Sequence, residues 1–145
     1  MNNAARVLVV DDDEATLPVY RSLLTGGCFI TQYVGTAAEA LQALAQRAFD
    51  VVLIDCLIPG NDGLALLRAI RELDEDAEIL VITRAPTLEQ AKAAMRLGAS
   101  DYMAKPVAPE EVVKAAASAA IRKKWVLHRV TVLDPAQPSR EGETI

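Results

Sequence analysis

The stretch Val51–Asp55 constrains the fold of this chain more than any other. Four apolar residues, three of them β-branched, run without a polar interruption into an aspartate. An apolar run without alternation predicts a strand that is buried on both faces, as in a parallel sheet. Asp55 would then lie at the carboxyl end of that strand, where open α/β sheets bind their ligands. Because a carboxylate is costly to bury without a partner, Asp55 is either a turn residue or part of a functional site.

Two further apolar runs end in polar residues in the same way. Residues 7–10 run into an acidic segment that begins with Asp11, and residues 79–82 run into Thr83. Two weaker strand patterns complete the set, at residues 29–34 and 101–104. The chain therefore contains five predicted strands.

Apolar residues at helical spacing follow each predicted strand. The five predicted helices lie at about residues 17–24, 40–48, 66–73, 88–97 and 109–121. Thr36 and Glu39 have the spacing of a capping box before the second helix, and Gly98 gives a stop signal after the fourth. Strict alternation of strands and helices predicts an α/β fold, in which a doubly wound five-stranded parallel sheet carries helices on both faces.

Composition limits the classes of protein to which the chain can belong. With 145 residues, 52% of them hydrophobic, it is long enough to form one domain with its own core. A net charge of −5 argues against a general nucleic-acid-binding surface. Two cysteines make neither a disulfide framework nor a metal site. Since the sequence has no membrane-spanning apolar run and no signal-peptide core, we expect a cytoplasmic protein without a membrane partner.

The charge is unevenly distributed along the chain. Residues 122–145 hold five of the 15 basic side chains but only three of the 20 acidic ones. We therefore expect a globular domain over residues 1–121, followed by an extended C-terminal helix and a linker or tail over 122–145. Residues 130–133 either prolong that helix or form a short strand.

Polar side chains follow the predicted strands at one common edge. Asp11 and Asp12 follow the first strand, Asp55 ends the third, Thr83 ends the fourth, and Lys105 follows the fifth. Carboxylates at close range repel one another unless a cation lies among them. Oxygen ligands of this kind suit Mg²⁺, and an ammonium and a hydroxyl add contacts for an anion. The sequence therefore predicts a Mg²⁺-dependent phosphoryl-transfer site.

The motifs at this edge resemble those of a known family. They are Val9-Val10-Asp11-Asp12, Ile54-Asp55 with Pro59 and Asp62-Gly63, Ile82-Thr83, and Lys105-Pro106. In order and spacing they resemble the receiver domain of two-component response regulators, over residues 6–121. The resemblance implies a flavodoxin-like fold and a signalling domain that catalyses its own phosphotransfer and autodephosphorylation without being a multiple-turnover enzyme.

The resemblance also implies a role for each matching residue. Asp55 is the expected phosphoacceptor, which takes a phosphoryl group from a sensor histidine kinase or a phosphotransfer protein. Asp11 and Asp12 are expected to hold Mg²⁺ together with Asp55 and the backbone carbonyl of Cys56, with Asp12 as the direct ligand of the acidic pair. Thr83 is expected to bind phosphoryl oxygens.

Three further residues have roles that are implied in the same way. Lys105 is expected to bind phosphoryl oxygens beside Thr83, and Pro106 to follow a cis peptide bond. Tyr102 occupies the position of the family's switch aromatic. On phosphorylation, Thr83 would move toward the phosphoryl group and Tyr102 would swing inward, which would remodel the face formed by the fourth helix, fifth strand and fifth helix.

Three residues near the expected phosphoacceptor would modulate its chemistry, and the first of them stands where the family usually has a small residue. Arg84 follows the switch threonine, where it would shield Asp55, contact a phosphate or point outward. Leu57 and Ala85 lack polar groups that could orient an attacking water. We therefore expect slow loss of the phosphoryl group.

Partners follow from the same resemblance. We expect an effector domain or a downstream protein, and a homodimer through the remodelled face or through the extended last helix. Nucleic acid would be bound only through an output domain, which these 145 residues do not contain. Two alternatives stay open: an interaction module that is never phosphorylated, and a Mg²⁺-dependent aspartyl phosphohydrolase, which would require an acid where Leu57 stands.

Overall fold

The structure is a computed structural model, and it describes residues 4–13, 29–58 and 64–132. Its strands are β1 Ala5–Val10, β2 Phe29–Val34, β3 Val51–Asp55, β4 Glu78–Thr83 and β5 Asp101–Ala104. They form one sheet in the order β2-β1-β3-β4-β5, and every neighbouring pair is parallel. The predicted α/β fold is confirmed.

Four helices connect and follow these strands within the described residues. They are α1 Ala37–Gln46, α2 Ala65–Leu73, α3 Leu88–Arg96 and α4 Pro109–Val132. These correspond to the second through fifth predicted helices. The predicted first helix, the loop at 59–63 and the tail from 133 onward lie outside the described residues. In the part of the chain that is described, no helix combines the length and the apolar character needed to cross a membrane.

The last helix continues through the residue at which the domain boundary was predicted. α4 runs without a break to Val132, so residues 130–132 prolong the helix and do not start a strand. The boundary between residues 121 and 122 stays a prediction about domains. The helix itself belongs to both segments.

Both faces of the sheet are buried, which explains the unbroken apolar runs. In β1, Leu8 and Val10 pack into a core formed with α1, α2 and α3. Val7 and Val9 point to the opposite face and pack into a second core against α4. Because successive side chains of a strand alternate between faces, a strand covered on both sides must be apolar at every position.

The predicted capping box forms with one change of partner. The Thr36 hydroxyl accepts a hydrogen bond from the Glu39 amide at 3.1 Å. The Glu39 carboxylate reaches back to the Gly35 amide at 3.1 Å, one residue before the position that a standard capping box predicts. The two contacts satisfy backbone donors at the entry to α1.

Two leucines of α2 provide a test of the core. Leu67 is 1% exposed and Leu73 is 63% exposed on the same helix. Leu67→Ala should lower the free energy of unfolding by about 2–5 kcal/mol, because it removes apolar contacts and leaves a cavity. The matched Leu73→Ala should change it by less than about 0.5 kcal/mol. Urea unfolding measures both, and equal losses would contradict the assigned packing.

Candidate functional site

The strand register brings the expected site residues to one edge of the sheet. Val10 is paired with Ile54, Asp55 with Ile82, and Thr83 with Ala104. Asp11 follows Val10 in the chain, and Lys105 follows Ala104. The carboxyl ends of β1, β3, β4 and β5 therefore lie side by side, as the sequence predicts.

The ammonium group of Lys105 is the centre of this edge. Its Nζ donates to Asp11 Oδ2 at 2.8 Å and to Asp55 Oδ2 at 3.0 Å. A longer contact of 3.4 Å joins it to Asp13 Oδ2. Asp11 and Asp55 are each 2% exposed, so two nearly inaccessible carboxylates have one cation between them. This contact compensates part of the cost of burying their charges.

The pKa of Asp11 shows that the compensation is incomplete. Burial raises the pKa of this carboxyl above 3.8, and the nearby charge of Asp55 adds to the rise. The hydrogen bond and the charge of Lys105 oppose the shift without cancelling it. For Lys105, burial lowers the pKa, but hydrogen bonds and charges from Asp11 and Asp55 outweigh it and raise the pKa above 10.5.

Three carboxylates at this edge have the chemistry of a cation site. Asp11, Asp12 and Asp55 each offer an oxygen, and these oxygens lie within 4.8 Å of one another. Asp12 is exposed and the other two are buried. A small hard cation binds through one or two carboxylates and keeps several waters, so a set with one solvent-facing member fits Mg²⁺.

The backbone after Asp55 is held against that residue. The Leu57 amide donates to Asp55 Oδ1 at 2.9 Å, which leaves Oδ2 for Lys105. Cys56 is fully buried, and burial followed by the charge of Asp55 raises the pKa of its thiol to about 11. The Cys56 thiol is therefore protonated and inert at neutral pH.

The end of β4 presents one buried hydroxyl and two exposed residues. Thr83 is fully buried, and its Oγ1 accepts a hydrogen bond from the Ala85 amide at 3.1 Å. Arg84 and Ala85 are exposed. The Thr83 carbonyl accepts from the Lys105 amide at 2.8 Å, so the backbones that carry the two side chains are joined.

Tyr102 lies apart from the carboxylates and contacts α3. Its ring is half-buried, and its hydroxyl donates to Gln90 Oε1 at 2.5 Å and accepts from the Thr87 amide at 3.3 Å. These contacts join β5 to the start of α3. The peptide bond between Lys105 and Pro106 is cis.

One contact of the site was missed at the level of sequence. Asp13, half-buried, approaches Lys105, and its amide donates to Asp11 Oδ1 at 2.9 Å. The available signal was its place as the third acid of an acidic run, but a run does not show which member turns inward.

Comparisons with known proteins agree with this arrangement. A family model for the response regulator receiver domain matches residues 7–117. This chain therefore belongs to the response regulator receiver domains of two-component systems, which are signalling domains.

Individual relatives and solved structures agree with the family assignment. The C4-dicarboxylate transport transcriptional regulatory protein DctD of Rhizobium meliloti (strain 1021) is 31% identical over 142 residues, which are 98% of this chain and 31% of that protein. The response regulator MprA of Mycobacterium sp. (strain KMS) is 35% identical over 108 residues, which are 74% of this chain and 47% of that protein. A response regulator receiver domain protein (CheY-like) from Methanospirillum hungatei JF-1 has a TM-score of 0.79 at 25% identity, covering 84% of this chain and 98% of that one. The chain thus spans less than half the length of these two curated relatives.

Removing the central cation should destabilise the fold in a pH-dependent way. Lys105→Met leaves buried carboxylates without a cation, which should cost on the order of 3 kcal/mol at neutral pH. A group whose pKa is raised in the folded state contributes stability at low pH, and this contribution is lost as the pH rises through the folded-state pKa. Because the variant raises the pKa of Asp11 further, its deficit should be largest near neutral pH and should shrink as the medium becomes acidic.

Urea unfolding at about pH 7.5 and about pH 5 measures this difference. The matched control is Lys92→Met on α3, since Lys92 is exposed; this variant should change stability by less than about 0.5 kcal/mol at both pH values. A Lys105→Met deficit that does not depend on pH would contradict the electrostatic assignment.

Proposed function

We propose that this chain is a phosphorylation-controlled switch whose phosphoacceptor is Asp55. The observation that carries the proposal is a buried carboxylate 3.0 Å from the Lys105 ammonium, with two further carboxylate oxygens within 4.8 Å. Such a carboxylate is oriented and partly neutralised, and the exposed Asp12 beside it faces solvent. The donor is the phosphohistidine of a sensor kinase or of a phosphotransfer protein.

In the proposed transfer, Asp55 acts as the nucleophile. One of its carboxylate oxygens bonds to phosphorus while the phosphorus–nitrogen bond of the phosphohistidine breaks. The imidazole leaves with the bonding electron pair and takes up a proton. Lys105 donates hydrogen bonds to the phosphoryl oxygens, and Thr83 adds its hydroxyl. Positioning and charge neutralisation supply most of the catalysis in such transfers.

A divalent cation belongs to this proposal. Asp11, Asp12, Asp55 and the backbone carbonyl of Cys56 would hold Mg²⁺, with Asp12 as a direct, solvent-facing ligand. When bound, Mg²⁺ would neutralise charge on the transferring oxygens. The exposed Asp12 gives the ion a path from solvent that the buried Asp11 and Asp55 do not.

The switch proposal starts from two hydrogen bonds. The Thr83 hydroxyl accepts from the Ala85 amide and keeps its own hydrogen to donate to a phosphoryl oxygen, so a movement of Thr83 toward that oxygen would stretch the contact with Ala85 or carry Ala85 along. That change would pull on the segment leading to Thr87, whose amide donates to the Tyr102 hydroxyl. We propose that this remodels the face formed by α3, β5 and α4, on which an effector domain, a downstream protein or a second copy binds. The proposed location is the cytoplasm, where sensor kinases present their phosphohistidine.

Three neighbours of the site are proposed to modulate it. Arg84 places an exposed cation beside Thr83, on the proposed approach path of the phosphoryl donor. Leu57 is 45% exposed and Ala85 is exposed. Because both side chains are apolar, neither offers a polar group to an attacking water. The apolar Leu57 also weighs against an aspartyl phosphohydrolase, which would need an acid at that position.

The phosphoacceptor assignment is tested by intact-protein mass. Incubation with acetyl phosphate or phosphoramidate and Mg²⁺ should add one phosphoryl group to the wild-type chain. Asp55→Asn should gain none, and omission of Mg²⁺ should abolish the gain in the wild type. Phosphorylation of the Asn variant would disprove the assignment of Asp55. A wild type that neither gains mass nor binds Mg²⁺ would instead favour an interaction module that acts without phosphorylation.

The lifetime of the phosphoryl group tests the modulating residues. Leu57→Asn introduces a group that can orient water, so it should accelerate decay of phospho-Asp55 by about tenfold. Leu73→Asn, an exposed leucine far from the site in sequence, should leave the decay unchanged. The remaining phosphorylated fraction is followed by mass after removal of the donor. Rapid decay in the wild type, unaltered by Leu57→Asn, would exclude the proposed role.

A further inference from the structure

A polar network lies near the amino ends of the strands, at the end of the sheet opposite the candidate site. It consists of Arg71 on α2, the segment 74–78, which comprises the turn before β4 and the first residue of β4, and Arg122 and Lys123 on α4, and we call it the basal network. It joins elements from both faces of the sheet. None of its members contributes to the phosphoryl chemistry proposed above.

Arg71 holds the C-terminal end of α3. Its Nε donates to the Leu97 carbonyl at 3.1 Å, and its Nη2 donates to the Gly98 carbonyl at 2.9 Å. The last carbonyls of a helix lack partners within the helix, so the guanidinium fills a place that water would otherwise take. Arg71 thereby fixes α3 to α2 at this end.

Gly98 aligns these carbonyls with Arg71. Its φ of 85° lies in the left-handed region that favours glycine, and its amide donates to the Met95 carbonyl while the Ala99 amide donates to the Ala94 carbonyl. A Cβ at this position would lie 3.4 Å from the Arg71 Nη2 atom. The end of α3 therefore has a fixed shape, against which the guanidinium is closely packed.

The same guanidinium holds the turn before β4. Its Nη1 donates to the carbonyls of Glu75 and Ala77, each at 2.8 Å, with a longer contact of 3.4 Å to the carbonyl of Asp74. One planar group thus bridges the end of α3 and the turn. Arginine suits this role because its donors are fixed in a fork, whereas lysine presents a single ammonium.

The same segment is also bound to α4. Lys123 is 8% exposed, and its Nζ donates to Asp74 Oδ2 at 3.3 Å. Arg122 Nε donates to Glu78 Oε1 at 2.9 Å, and the Ser100 hydroxyl donates to the same oxygen at 2.7 Å. These contacts lie where α4 continues toward Val132.

We propose that the basal network transmits the switch of α3 to the C-terminal part of α4, with Arg71 as the positioning residue. The inference rests on the proposed function, because it needs a change at Thr83. The start of α3 is tied to Tyr102 on the site side, and its end is tied to Arg71. Because a helix moves as a stiff unit, displacement of its start would also shift the carbonyls to which Arg71 donates. Arg71 passes that change to the turn at 74–78, and Lys123 and Arg122 pass it to α4.

The experiment measures amide hydrogen exchange by mass spectrometry on the full chain. Each sample is compared with and without beryllium fluoride and Mg²⁺, which mimic a phosphoryl group on a carboxylate. Amide exchange is compared in two segments. They are residues 83–90, beside the site, and residues 119–132, in the last part of α4. In the wild type, both should change their exchange on activation.

Arg71→Lys keeps the charge but loses the fork. We expect its response at 83–90 to be retained and its response at 119–132 to fall by about threefold or more, while basal exchange near Leu97 and Gly98 rises about tenfold. The matched control is Arg68→Lys on the same helix, where Arg68 is exposed. It should respond like the wild type at both segments.

Lys123→Met gives a second route to the same test. It removes the contact with Asp74 and keeps an apolar stem, so it tests the inference even if Arg71→Lys does not fold. The response at 119–132 should fall as it does in Arg71→Lys. A full response at 119–132 in either folded variant, or a wild type that responds at 83–90 alone, would overturn the inference and leave the proposed function intact. A wild type with no response at 83–90 would overturn both.

Discussion

The contact between the Lys105 ammonium and the carboxylates of Asp11 and Asp55 is the interaction on which the site depends. Without a cation between them, two carboxylates that are each 2% exposed would repel each other at close range. Lys105 therefore orients Asp55 in the folded chain. It also stands where the oxygens of an incoming phosphoryl group would need a cation, so one side chain serves both stability and the proposed chemistry.

The parallel sheet makes this arrangement possible. Because all five strands run in one direction, their carboxyl ends meet at one edge and their amino ends at the other. Burial on both faces holds the strands in register, so residues distant in sequence, such as Asp11 and Lys105, meet to within 2.8 Å. The opposite edge gathers Arg71, the turn at 74–78, and α4. The two ends of the sheet thus carry separate polar systems, and α3 is bonded to Tyr102 at its start and to Arg71 at its end.

Membership in the receiver family explains the shared features, and the departures distinguish this chain. Arg84, Leu57 and Ala85, which follow the ends of β3 and β4, are proposed to modulate the site, because they add one charge but no side-chain group that could orient water. The long α4 continues to Val132 and is anchored through Lys123. A slowly reversed switch with a firmly held last helix would suit output that persists after the signal ends.

The sequence by itself determined the parallel α/β fold, because short, β-branched apolar runs such as residues 51–54, alternating with helical patterns, are typical of strands covered on both faces. It also predicted that Asp11, Asp55, Thr83 and Lys105 share an edge, since strand ends and alternation are local patterns. Only the tertiary structure decided that Asp13 turns toward Lys105, that Glu39 takes the Gly35 amide, and that Arg71 binds the end of α3. These contacts join residues through backbone carbonyls, exact side-chain directions and distant segments, and none of these leaves a periodic or compositional trace in the chain.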